Sequence, residues 1–165
     1  MKTFSLLLLL ICHFTLNGQT FLSDVGLTYN GSALTVTGNN VIVKAITPGR
    51  VGLLFRQLDG TTAKLYYAEW TLSSGIVMME KCSDELSYLP LGLGYYKGSP
   101  KVAGIMANKQ IKEYSRSTSG TWSASDTGLV ASNYYQLNSY AVNPLNGNGA
   151  FFGEVSSVTG GTAPD

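Results

Sequence analysis

Val51-Gly52-Leu53-Leu54-Phe55, Val102-Ala103-Gly104-Ile105-Met106 and Ala150-Phe151-Phe152-Gly153-Glu154-Val155 are short apolar runs that recur about every fifty residues. Each follows a proline-bearing turn, at Pro48, Pro100 and Pro144. A period of this size suits a four-stranded repeat unit, because such a sheet cannot shield both faces alone and is stabilised by stacking on a copy of itself. The expected fold class is therefore all-β, made of propeller-like four-stranded blade repeats. Two blades and part of a third make an incomplete ring, and a β-sandwich is the alternative.

The flanking residues follow the same pattern. Glycine, serine, threonine, tyrosine and valine dominate while charged residues are sparse, which suits pleated, half-buried surfaces. Asn30-Gly31 between two strand-like stretches is a strong hairpin signal. Strands are predicted over Val41–Ile46, Val51–Leu58, Lys64–Thr71 and Ile76–Lys81, with turns at Thr47-Pro48-Gly49, Asp59-Gly60 and Ser73-Ser74-Gly75. The second unit repeats the order, with strands over Leu86–Tyr96 (kinked at Pro90), Val102–Ala107, Gln110–Ser117 and Thr121–Ser125. The third opens with Tyr134–Val142 and Ala150–Val155. Met106–Tyr114 lacks Gly and Pro, but its apolar spacing is not helical and no cap precedes it, so it reads as a hairpin.

Met1-Lys2-Thr3-Phe4-Ser5 followed by Leu6–Ile11 gives one positive charge and then a short apolar run. That pattern predicts a secretory signal over residues 1–18, cut after Gly18, in preference to lipoprotein processing at Cys12 behind the bulky Ile11. It leaves a β-repeat domain over 19–155 and a flexible Gly/Pro-containing tail over 156–165. No downstream stretch is apolar enough for a membrane span.

Loss of the leader removes Lys2, Cys12 and His13, so basic and acidic groups balance and the mature chain carries no histidine. Base-assisted serine or cysteine chemistry and histidine-bearing metal sites are excluded on that reading. A neutral surface gives no electrostatic reason to bind nucleic acid or anionic membrane. Cys82 stands alone, cannot form an internal disulfide, and is expected to be a small buried hydrophobe. No cofactor or metal is expected.

Ser115-Arg116-Ser117-Thr118-Ser119-Gly120-Thr121-Trp122 has the spacing of the Asp-box turn, Ser-x-Asp-x-Gly-x-Thr-Trp. Ser115, Thr121 and Trp122 match, while Ser117 and Ser119 replace the aspartate and glycine. On these residues the chain resembles sialidase-like and lectin-like secreted β-propellers. The resemblance implies a structural turn, with the residue at the aspartate position bonding the loop backbone and the tryptophan packing between strands. It speaks to architecture and not to catalysis.

Sialidase chemistry also needs three arginines on the substrate carboxylate. Arg50, Arg56 and Arg116 are the chain's three, but Gln57-Leu58 follows Phe55-Arg56 where that family has Ile-Pro, and Arg116 lies within the turn motif. The predicted function is accordingly a secreted, non-enzymatic binding or adhesion module with glycan as ligand, assembling from several copies. The alternatives are a truncated or inactive relative of a sialidase-like hydrolase, and a surface structural β protein. Sugar rings stack on aromatics and need fixed polar partners. Trp70, Tyr67, Trp122 and Tyr114 are the candidate platforms, joined by Tyr134 and Tyr135, with Arg56, Glu69 and Asn133 as polar partners. Packing is the competing role for the aromatics, most of all for Trp122. Asn30-Gly31-Ser32 has the form of a glycosylation sequon, although turn chemistry accounts for it.

Overall fold

A computed structural model describes residues 28–37, 40–131 and 136–154. The leader, the tail, and the candidates Asn133, Tyr134 and Tyr135 lie outside the described residues.

The regular elements are strands: β1 (Thr28–Tyr29), β2 (Ser32–Ala33), β3 (Ile42–Thr47), β4 (Arg50–Asp59), β5 (Thr62–Thr71), β6 (Gly75–Lys81), β7 (Ser87–Tyr96), β8 (Ser99–Met106), β9 (Gln110–Arg116), β10 (Trp122–Val130), β11 (Gln136–Val142) and β12 (Gly149–Glu154). They form two four-stranded antiparallel meanders, β3-β4-β5-β6 and β7-β8-β9-β10, and two hairpins, β1-β2 and β11-β12. The fold is all-β, and Met106–Tyr114 is a hairpin as expected. The described strands form no closed barrel. The first two apolar runs fall on β4 and β8 and the third, as far as Glu154, on β12, the second strand of each successive unit; Val155 lies outside the described residues.

Turn chemistry sets the register. Pro48 and Gly49 (φ 79°) link the paired residues Thr47 and Arg50, the proline supplying the first dihedral and the glycine the second. Asn30 (φ 51°) and Gly31 (φ 78°) take left-handed conformations between Tyr29 and Ser32, as a two-residue hairpin loop requires. β10 runs further than its sequence suggests, to Val130, with a register break after Asp126 that contains Gly128 (φ 72°).

Strand alternation sorts the side chains into layers. Leu54, Leu65 and Tyr67 of the first sheet pack with Leu93, Val102, Met106 and Tyr114 of the second, and Cys82 is buried among them. The other face of the second sheet, through Ala103, Ile105 and Ile111, packs with Tyr140, Val142 and Phe151 of the last hairpin. The rear of the first sheet, through Leu53, Phe55 and Ala68, is covered by Leu34 and Val36. Each unit thus presents a forward face to the unit that follows. Gly92 and Gly94 let β11 come close, since a Cβ at either position would collide with Tyr140 or Val142.

Candidate functional site

The sequence candidates separate by strand parity. Arg56 lies directly across from Leu65, and Tyr67 and Glu69 follow at intervals of two, so all four face the second sheet. Trp70 pairs with Val51 and packs on the opposite, rear face. The pleat therefore puts the two candidate platforms Trp70 and Tyr67 on opposite faces of the sheet. Tyr67 and Tyr114 are 0% and 2% exposed, so neither ring offers a face to an external molecule. Trp122 is only half-buried, against the same core cluster.

At one margin of the layer two carboxylates of the first sheet are held by cations. Glu80 receives Nε and Nη2 of Arg116, both at 2.6 Å, and the indole N–H of Trp122 at 2.9 Å. These bonds, with the guanidinium's charge, hold its carboxyl below the ordinary glutamate range in spite of partial burial. Glu69 pairs with Arg50 and accepts the Tyr67 hydroxyl at 2.9 Å. Tyr67 in turn lies 3.3 Å from the hydroxyl of Tyr95 on the second sheet. Burial is the main force raising both phenols, Tyr95 to about 12. The Trp122 ring meets Tyr67 edge-on, with centroids 5.7 Å apart at 62°.

The layer beyond the second sheet repeats the device. Lys101 pairs with Glu113 at 2.5 Å, and the Tyr140 hydroxyl donates to Glu113 at 2.6 Å. Glu69 lies opposite Gly52 and Glu113 opposite Ala103, with Arg50 and Lys101 each two positions earlier on the second strand. Cation and glutamate hold equivalent places in successive sheets, whereas the tyrosine comes from the glutamate's own strand in the first (Tyr67) and from the following unit in the second (Tyr140).

The Ser115–Trp122 turn is closed by Ser117. Its hydroxyl accepts the Thr121 N–H at 2.9 Å, its N–H donates to the Thr121 carbonyl at 2.8 Å, and its carbonyl accepts the Gly120 N–H at 3.1 Å. The corresponding turn of the first sheet uses Thr71, whose hydroxyl accepts the Ser74 N–H at 3.2 Å.

Sequence reasoning missed Glu80, Tyr95 and Tyr88, and the pairing of Arg50 with Glu69. Alignment of the repeats could have singled out Arg50 beside Lys101, and Glu69 beside Glu113. Nothing local marks Glu80 as a partner of residues 36 and 42 positions later. Tyr88 is 67% exposed at the start of β7, the kind of ring a surface platform needs. Among the described residues no cluster of three His, Cys, Asp or Glu could hold a metal ion, and no helix is long and apolar enough to cross a membrane.

No protein-family model, curated protein or solved structure matches the chain.

Proposed function

We propose that this chain is an exported, non-enzymatic binding module of propeller-like repeats that takes glycan at the margin of its first inter-sheet layer. The carrying observation is the half-buried Trp122 ring, held edge-on by Tyr67 and fixed through its N–H by Glu80, with Arg116 alongside. A rigid aromatic bordered by oriented polar groups matches a sugar's apolar face and hydroxyl rim. Two features support the blade reading: equivalent sheets stack forward along the chain, and Ser117 bonds the loop backbone at the aspartate position of the motif.

Binding is favoured over hydrolysis by the state of the carboxylates. Glu69, Glu80 and Glu113 are each paired with a cation, and Glu80 is held low, whereas a general acid must be raised. Arg50 and Arg116 are committed to those pairs, which leaves no arginine triad for a substrate carboxylate.

A glycan array probed with wild type, Trp122→Ala and Trp70→Ala tests the reading, with circular dichroism as the check on folding. Binding lost in a folded Trp122→Ala and kept in Trp70→Ala is expected. An array without any bound glycan, or a folded Trp122→Ala with the wild-type profile, overturns it.

A further inference from the structure

We infer that the opposite end of the same layer is a site for a small oxyanion, either a free inorganic anion or the carboxylate of a ligand. The chain has three arginines. Arg50 and Arg116 have carboxylate partners; Arg56 has none among the described residues, and its Nε is buried without a hydrogen-bond partner. Thr37 sits directly across from Arg56, because Val36 bridges Gln57 in antiparallel register and the Thr37 N–H donates to the Arg56 carbonyl at 2.9 Å. The Thr37 Oγ1 is also buried and unpartnered.

The second sheet supplies the other wall. Ser87 pairs with Met106, whose side chain packs with Leu54 and Leu65 in the layer that Arg56 faces. Ser87 is 1% exposed and its Oγ has no partner. β4 runs away from Gly52, which lies under the Tyr95 hydroxyl, while β7 runs toward that hydroxyl. Arg56 and Ser87 therefore both face this layer, on the side of it away from the Tyr95 hydroxyl. Gln57 Oε1, a further unpartnered acceptor, is on the rear face with Val36 and takes no part.

This set is one guanidinium, which can only donate, and two hydroxyls free to donate, with a positive charge that has no carboxylate partner among the described residues. An oxyanion accepts from all three and neutralises the arginine, and a planar carboxylate or tetrahedral oxyanion fits the guanidinium fork. The proposal does not depend on glycan binding at the Trp122 margin.

The test is titration of the backbone amide resonances of Thr37, Arg56 and Ser87 in the folded protein at constant ionic strength, with sodium sulfate, sodium phosphate, sodium glucuronate, and chloride as control. A saturable shift weakened several-fold by Ser87→Ala, with binding abolished in Arg56→Gln, is expected. Response to sulfate or phosphate alone identifies a free anion, and response to glucuronate identifies a ligand carboxylate; either supports the site. If Arg56→Gln does not fold, Ser87→Ala and Thr37→Val carry the comparison. Shifts no larger than in chloride, or unchanged binding in the folded variants, overturn it.

Discussion

Trp122 on the second sheet donates its indole N–H to Glu80 on the first at 2.9 Å, completing a carboxylate that Arg116 already grips from two sides. The bond and the ring's packing can be separated by substitution. Trp122→Phe keeps an aromatic against Tyr67 and is expected to cost about 1 kcal/mol, the worth of one hydrogen bond. Trp122→Ala should cost about 2 to 4 kcal/mol, somewhat below full aromatic truncation because the ring is only half-buried. Urea denaturation decides; equal losses in the two variants would refute the packing role.

Glu80 makes part of the stability acid-sensitive. Its carboxyl is lowered in the folded state, so its contribution is complete above the unfolded value near 4.5 and fades as pH falls through the folded one. Glu80→Gln should lose about 1 to 2 kcal/mol at neutral pH, solvent screening keeping the figure modest. The gap from wild type should narrow as the pH falls from about 4.5 through the lowered folded value, and a gap independent of pH would contradict the assignment.

Gly92 is required by contact and not by conformation. Gly92→Ala drives a Cβ into Tyr140 and is expected to cost about 1 to 3 kcal/mol, with faster amide exchange around Tyr140 as the last hairpin lifts. Gly60 (φ 65°) faces open space, so Gly60→Ala should cost only about 1 kcal/mol through backbone strain. Protection at Tyr140 that survives Gly92→Ala would contradict the close approach.

The Ser117 hydroxyl holds the Thr121 N–H as a capping group does. Ser117→Ala should lower stability by about 1 kcal/mol, whereas Ser117→Asp keeps an acceptor there and should leave stability unchanged or raised. Thermal melts of the two variants give the answer, and equal destabilisation would count against the role.

Cys82 is 4% exposed within the core, and burial pushes its thiol well above the ordinary range. In a Cys12→Ser chain, which leaves Cys82 as the one thiol, an aromatic disulfide reagent should label it only on unfolding, at a rate that rises with urea. Prompt labelling of native protein would place the thiol elsewhere.

The strands and turns were legible because their causes are local: alternation, Asn30-Gly31, Pro48-Gly49 and the three apolar runs on β4, β8 and β12. Trp70 and Tyr67 are three apart on one strand, and the period of two alone puts them on opposite faces. Glu80 could not be recognised, since its partners come from β9 and β10 and meet it only when the sheets stack. The sequence pattern ends this strand at Ser125, whereas β10 runs on to Val130 and absorbs Gly128 in an irregular pairing.

Leu34 and Val36 lie over the rear of the first sheet, the surface from which a forward-facing series would be extended upstream. Interfaces of that directional kind propagate into rings or filaments unless something terminates them. Leu34 and Val36 already pack on Leu53, Phe55 and Ala68, so a further sheet added at that face would have to displace this short strip.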